Sequence, residues 1–301
     1  MRTDPRVTIQ PAVVATAPDG TMIGEVVGSV RPRVDVGIWL CAGWLISITL
    51  LAIVEPLLPL QDPLALSGAA REGPSSDHWL GTDQLSRDQL SRVLSGAQVS
   101  LTVGIVSALT AGVIGTLLGL VSGFYRRTTE TVVMGLMDIM LAAPALIFVI
   151  VITSMLGAGI GNVILAISIL SVPAFARVAR AQTLVYSERD FVKAARSLGA
   201  TRRRILFLEI APNVLPTMLA YSLVTVSVAI IVEGSLSFLG LGVSPERATW
   251  GGMIANGRSH LNTAPHISLI PGAIMFVTVL ALNALGDKLQ RRHDDAIGFT
   301  A

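Results

Sequence analysis

Charged side chains are scarce in this chain of 301 residues. Asp, Glu, Lys and Arg make up 14% of the sequence, whereas a soluble domain carries about 25%. Hydrophobic residues make up 52%, and five stretches contain no charged residue: 36–54, 93–125, 139–176, 210–232 and 259–286. The polar surface that a large water-soluble helical protein needs is missing, so the composition favours a polytopic membrane protein.

Motifs for covalent and metal chemistry are also missing. The single cysteine, Cys41, lies inside the first apolar stretch, so no disulfide can form within the chain. We predict no metal site. The histidines are interpreted as scattered polar residues: His78, His260, His266 and His293. No catalytic constellation is present, which disfavours an intramembrane enzyme.

An ATP-binding P-loop is absent as well. The Walker A motif, Gly-x-x-x-x-Gly-Lys-Ser/Thr, needs a lysine beside Ser or Thr. The chain has two lysines, Lys193 and Lys288, and neither has that setting. We therefore predict no ATPase activity for this chain, and any ATP-driven work must come from another subunit.

The apolar stretches predict an all-α fold with six transmembrane helices, because about 20 apolar residues cross a bilayer. A glycine-rich turn, GAGIGN (157–162), separates the third helix from the fourth. The predicted ranges are 36–58, 98–124, 131–156, 160–178, 210–232 and 267–286. The first apolar stretch begins too late for a cleaved signal peptide, so we expect it to remain as an anchor.

The distribution of Lys and Arg predicts the orientation in the membrane. For six spans, 17 of the 22 basic residues fall on the side of the two termini and 5 on the other side. Cytoplasmic segments carry the excess of Lys and Arg, so both termini should be cytoplasmic. The clustering of the basic residues is explained by membrane topology rather than by nucleic-acid binding, so we expect no nucleic-acid partner.

The densest positive charge follows a short amphipathic helix that the spacing predicts between residues 189 and 198. One helical face carries the apolar residues Phe191, Ala194, Ala195 and Leu198. Gly199 follows where a glycine ends a helix in a left-handed turn, and Thr201 is a candidate N-cap for the next helix. The segment is either a basic loop on anionic lipid or a docking helix for a cytoplasmic partner.

Two ionisable residues inside or beside the apolar stretches are candidates for the transport pathway. Asp138 lies inside the third span, where ionisable residues are functional candidates. A helix–helix hydrogen bond inside the bundle is the favoured alternative, because a relay needs partners and none is evident in the sequence. Glu233, at the outer end of the fifth span, either faces the pathway or caps the following GSLSFLGLG turn.

The segment KAARSLGA…IAPNVLP (193–216) resembles the EAA loop of binding-protein-dependent ABC transporter permeases. It departs from that pattern at Lys193, where the family has glutamate, and matches it at Ala194, Ala195, Gly199, Ile210 and Pro212. Further segments resemble C-type permease subunits of dipeptide and oligopeptide importers, in the same order: HWLGTDQLSRDQLSRVLSGAQVSLTVG (78–104), MDIMLAAPALI (137–147), EGSLSFLGLGVSP (233–245), TWGGMI (249–254) and NALGDKL (283–289).

The resemblance implies a type I ABC importer permease fold in the cell (inner) membrane. Its cytoplasmic coupling helix would contain the ATPase-coupling residues Phe191, Lys193, Ala194, Ala195, Leu198 and Gly199. The implied partners are a homologous second permease subunit, two ATPase subunits that bind ATP and Mg²⁺, and an extracytoplasmic solute-binding protein. No cofactor is expected in this chain.

Four regions are predicted: a flexible cytoplasmic N-terminal segment (1–33), the first transmembrane helix with an extracytoplasmic loop (34–97), a five-helix permease core (98–290) and a cytoplasmic tail (291–301). The core contains the coupling loop, 187–209. The extracytoplasmic loop should lie over the outer mouth or against the binding protein.

The function that the resemblance implies is import of di- or oligopeptides by alternating access, driven by the separate ATPases. Nickel and haem importers share these motifs, so either cargo is an alternative. A stand-alone secondary transporter or channel is a further alternative, although inverted repeats or broken helices at the midplane, which such proteins often show, are not evident here.

Overall fold

The computed structural model describes residues 14–16, 22–25, 36–243 and 247–298. The chain divides into two units, 1–37 and 38–301. In the first unit, strand β1 (Val14–Thr16) pairs antiparallel with β2 (Met22–Glu25). The rest of the predicted flexible segment, 1–33, lies outside the described residues, so its flexibility stays a prediction.

In its described residues, the second unit consists of helices joined by turns and loops, with two isolated β-bridges, Leu66–Arg87 and Thr82–Asp88. This confirms the all-α fold class apart from the β1–β2 hairpin. Its helices are α1 (Val36–Val54), α2 (Gln89–Tyr125), α3 (Arg127–Ala142), α4 (Ala145–Leu156), α5 (Ile160–Ser187), α6 (Asp190–Ser197), α7 (Arg202–Arg204), α8 (Ala211–Phe238), α9 (Trp250–Gly257) and α10 (His266–Gly298). A π-helical segment, Ile205–Ile210, joins α7 to α8, and short 3-10 turns follow α1 and α9: Glu55–Leu57 and Arg258–His260.

Six spans fit the described residues, but the third is not a straight helix. Five helical segments are long and apolar enough to cross a membrane: Val36–Leu57, α2, α5, the continuous segment Arg202–Phe238, and the part of α10 from His266 to Arg291. The sixth span is the pair α3 and α4, bent by 86°. A straight 131–156 helix was therefore wrong. Proline disfavours helical backbone in the residue before it, and Ala143 before Pro144 is extended, with φ −80° and ψ 137°.

The membrane helices also run further than the apolar stretches that predicted them. Helix α2 begins at Gln89 rather than 98, where Asp88 caps it by accepting a hydrogen bond from the Ser91 backbone N–H at 2.9 Å. Helix α5 continues past 178 to Ser187. At about 1.5 Å per residue, 37 residues of α2 exceed the hydrocarbon thickness of about 30 Å. The helices thus extend into the flanking polar regions, where polar residues continue them.

Helices α2 and α5 lie against each other along a stripe of three glycines, Gly115, Gly119 and Gly123. A Cβ added to Gly119 would sit 2.5 Å from the carbonyl oxygen of Ala176, and one added to Gly115 would sit 2.5 Å from Cβ of Phe175. Small residues let membrane helices approach this closely. The α2–α5 contact is therefore the closely packed centre of the bundle.

The segment between α1 and α2 is held by buried polar groups. His78 Nδ1 lies 3.0 Å from Asp88 Oδ1, and both side chains are buried. Asp83 accepts a hydrogen bond of 2.7 Å from Arg87 Nε, and Arg92 Nε lies 3.3 Å from the same carboxylate. His78, interpreted from the sequence as one of four scattered polar residues, has a buried carboxylate partner ten residues along the chain, which spacing alone did not reveal.

The same segment is tied to α10. Gln89 Nε2 donates to the carbonyl of Ile267 at 3.0 Å, and His266 Nε2 lies 3.2 Å from the carbonyl of Thr82. These contacts hold the loop against the N-terminal ends of α2 and α10. Its predicted role over the outer mouth or against a binding protein stays a prediction.

Candidate functional site

Helix α6 and its flanks form the predicted coupling loop. After α6, Gly199 adopts φ +80°, its N–H donates to the carbonyl of Arg196 at 3.1 Å, and the N–H of Ala200 donates to Ala195 at 3.0 Å. These are the two hydrogen bonds of a Schellman motif, which confirms the predicted C′ glycine. Thr201 Oγ1 accepts from the Arg204 N–H at 3.4 Å, which confirms the N-cap.

The apolar residues of α6 differ in how far they are exposed. Phe191 is 40% exposed, Leu198 is 88% exposed, and Ala194 is also exposed. Ala195 is half-buried and packs against the hydrophobic core of its own chain. Ala195 therefore lies between the exposed side of α6 and the core, and its predicted role in ATPase coupling stays a prediction. Phe191, Ala194 and Leu198 form the exposed apolar surface, called here the α6 outer face.

Val192 is the residue that sequence reasoning missed on α6. Its side chain is fully buried, at 0% exposure, in the core cluster that includes Tyr186 and Ile205. It anchors α6 to the bundle, and its signal was an apolar residue one turn before the half-buried Ala195. Because Val192 holds the inner side, the α6 outer face is presented away from the chain.

The charges around α6 are mostly exposed. Lys193 Nζ lies 3.2 Å from Asp190 Oδ1, three residues earlier on the same helix. The α2–α3 turn is linked to the end of α5, because Arg126 Nη2 lies 2.6 Å from Glu188 Oε1. That hydrogen bond lowers the pKa of the Glu188 carboxyl below its ordinary value. Lys193 thus has a local partner of opposite charge, at the position where the resembled pattern has glutamate.

Asp138 has a partner that the sequence did not reveal. Arg177 of α5 donates from Nη2 to Asp138 Oδ1 of α3 at 2.6 Å. A second ion pair joins the same two helices, with Arg180 Nε donating to Glu130 Oε1 at 2.8 Å. Beside the pairs lies a cavity of about 600 Å³, the α3–α5 cavity, lined by Glu130, Thr131, Met134, Gly135, Asp138, Arg177 and Arg180.

Glu233 is fully buried, at 0% exposure, in α8. Its carboxylate accepts hydrogen bonds from Ser237 Oγ at 2.7 Å and from Ser100 Oγ of α2 at 3.2 Å. Ser100 Oγ also accepts from the backbone N–H of Trp250 in α9, at 3.3 Å. Glu233 therefore helps to join α2, α8 and α9, and its carboxylate has no exposed surface in this conformation.

Among residues 36–243 and 247–298, no group of three or more His, Cys, Asp or Glu side chains is placed to hold a metal ion. The described site therefore consists of two features. One is the apolar surface of α6 at one end of the bundle. The other is the α3–α5 cavity with its ion pairs.

The described helices form a bundle with up to six candidate membrane spans and an exposed short helix, α6. The fold resembles a protein of the MetNI methionine ABC transporter in an inward-facing conformation (TM-score 0.57, 17% identity, 68% of this chain and 97% of that chain). It also resembles an amino acid ABC transporter crystallised with histidines (TM-score 0.51, 19% identity, 67% and 94%). This is the type I ABC importer permease fold.

The family is given by residues 115–298, which match the binding-protein-dependent transport system inner membrane component. A relative, the glutathione transport system permease protein GsiD of Pectobacterium atrosepticum, is 42% identical over 223 residues, which cover 74% of each chain. The chain belongs to this family of ABC importer permeases. It is a multi-pass inner-membrane protein, and its family works with ATPase and binding-protein subunits.

Proposed function

We propose that this chain is one of two homologous permease subunits that together import small peptides, with two ATPases docked on their cytoplasmic loops. ATP and Mg²⁺ bind to the ATPases, and this chain supplies no catalytic group and no cofactor. An extracytoplasmic binding protein delivers the peptide. Closure of the ATPases moves α6, which alternates access to the pathway between the two sides.

The α6 outer face is the observation that carries the docking role. Phe191, Ala194 and Leu198 are exposed on a helix whose other side is anchored by Val192. This apolar surface is small, and the buried Val192 holds it in place. Such a surface can fit into a groove of a partner protein. Ala194 lets a partner backbone approach, while Phe191 and Leu198 supply the apolar area. The alternative is a loop resting on lipid.

A peptide is favoured over nickel or haem as the cargo. The relative named as a glutathione permease is 42% identical over three quarters of the chain, and glutathione is a tripeptide. The test is uptake by the complete complex, reconstituted in proteoliposomes with its binding protein. We expect ATP-dependent uptake of labelled di- and tripeptides, with no uptake when a non-hydrolysable ATP analogue replaces ATP. Uptake of nickel or haem in the absence of peptide uptake would contradict the peptide assignment.

The proposed orientation places both termini and α6 in the cytoplasm. In a Cys41→Ala background, a cysteine at the exposed Ser76 should react with an impermeant maleimide added to intact cells. A cysteine at the exposed Ser197 of α6 should react only after the cells are permeabilised. The reverse pattern would overturn the orientation and the docking role of α6. The reason is the excess of 17 basic residues over 5 on the predicted cytoplasmic side.

A further inference from the structure

The α3–α5 cavity has the volume of a small-molecule site and an open, mostly charged and polar lining. Its volume of about 600 Å³ falls within the range of about 300–1,000 Å³ for small-molecule sites. Its wall includes two carboxylates and two guanidinium groups, together with the small residue Gly135. A Cβ added to Gly135 would have no atom within 4 Å, so this part of the wall opens into free space.

The charges beside the cavity lie within segments that cross the membrane. Asp138 belongs to the bent third span, and Arg177 belongs to α5. Their side chains are nevertheless 62% and 52% exposed. Ionisable groups in membrane spans face the bundle interior or a water-filled cavity rather than lipid. The exposed face of the Asp138–Arg177 pair therefore faces away from lipid, towards water or the second permease subunit.

The Asp138–Arg177 pair can exchange partners at low cost. Exposed ion pairs contribute little net stability, because water competes for both groups. Within the described part of the chain, the Arg177 guanidinium donates one hydrogen bond, from Nη2 to Oδ1 of Asp138. Its remaining donors suit the planar, two-oxygen geometry of a carboxylate. Asp138 Oδ2 is likewise available to an ammonium group.

We propose that the α3–α5 cavity is a transit site for zwitterionic peptides, in which Arg177 binds the terminal carboxylate and Asp138 the terminal ammonium group. The Glu130–Arg180 pair, which is less exposed at 26% and 33%, closes one side of the site. This inference rests on the proposed peptide function. It adds where on this chain the two charged ends of a peptide are recognised.

The first test fills the cavity without disturbing the fold. Gly135→Leu places a side chain in the open space, and replacing a helical glycine should not weaken the helix. The matched control is Gly161→Leu in α5, where an added Cβ also meets no atom within 4 Å and which does not line the cavity. In proteoliposomes with the complete complex, tripeptide uptake should fall at least tenfold for Gly135→Leu and stay within twofold for Gly161→Leu. Near-normal uptake by Gly135→Leu would overturn the proposal.

The second test measures directly whether the terminal carboxylate of the peptide is recognised. The probes are a tripeptide with a free C-terminus and its C-terminal amide, each saturating the binding protein. The wild-type complex should transport the free acid at least tenfold faster than the amide. Arg177→Gln should abolish this discrimination, so that the free acid is transported no faster than the amide. An equal loss for both peptides would mean that the ion pair only holds α3 to α5, and would overturn the proposal, as would a wild-type complex that does not discriminate.

The two proposals fail in different ways. A wild-type complex that takes up no peptide would refute the peptide function itself. Uptake by the wild type that Gly135→Leu and Arg177→Gln leave intact would refute the transit site alone. If Gly135→Leu does not assemble with its partners, the Arg177→Gln discrimination ratio still decides the question.

Discussion

Gly119→Val should prevent this chain from accumulating as a folded subunit in the membrane. A Cβ at Gly119 would lie 2.5 Å from the carbonyl oxygen of Ala176 and 2.9 Å from the backbone nitrogen of Arg180. Backbone atoms of α5 cannot rotate away as a side chain can. Overpacking a close-packed core typically costs about 1–3 kcal/mol, and here the two helices must separate, so a larger loss is expected.

The measurement is the amount of monodisperse protein extracted from the membrane, followed by fluorescence of a C-terminal fusion in size-exclusion chromatography. Gly119→Val should give at least a tenfold lower peak than the wild type. The control is Gly43→Val in α1, where an added Cβ meets no atom within 4 Å, and it should give a normal peak. Ala179→Gly should not rescue Gly119→Val, because the Ala176 and Arg180 backbone atoms remain. Equal peaks for the two valine variants would show that the α2–α5 contact does not limit folding.

The second large effect is expected at the tip of the coupling loop. Leu198→Asp should leave the subunit in the membrane but lower peptide uptake by at least tenfold. The Leu198 side chain is 88% exposed, so a carboxylate there remains hydrated and the fold of the isolated chain is not affected. When an ATPase covers the α6 outer face, the same carboxylate loses its water without gaining a designed partner, which is costly.

The control adds the same charge on the same side of the membrane. Thr128 is exposed in the first turn of α3, and Thr128→Asp should keep uptake within twofold of the wild type. Co-purification of the ATPases, measured at matched expression, should fall for Leu198→Asp and persist for Thr128→Asp. If Leu198→Asp retains the ATPases and normal uptake, α6 is a surface loop on lipid and the docking proposal is wrong.

Local signals made the end of α6 predictable from sequence. The left-handed Gly199 and the Thr201 cap depend on residues within a few positions of each other, so spacing was sufficient. The exposed side of α6 was only partly predictable. Four apolar residues recur at helical spacing, but which of them meets the core depends on the direction in which α5 ends. That direction buries Val192 and turns Ala195 inward.

Long-range pairings could not be predicted from the sequence, because they also depend on how the helices pack against each other. Asp138 and Arg177 are 39 residues apart, and their contact depends on how α3 packs against α5. The bend between α3 and α4 had a local signal in Pro144, but the uninterrupted apolar composition concealed it. Composition predicts where the membrane spans lie. A break within a span depends on a single residue, and the ion-pair partners depend on tertiary packing.

The α2–α5 glycine stripe also has a mechanical consequence. Helices in backbone contact along three glycines cannot slide past each other without a steric clash, so they behave as a single stiff beam. Helix α6 follows the end of α5 after two residues, Glu188 and Arg189. If an ATPase displaces α6, as proposed, we expect α5 and α2 to move together. We expect conformational change to occur elsewhere, and the 86° bend between α3 and α4 is a candidate hinge.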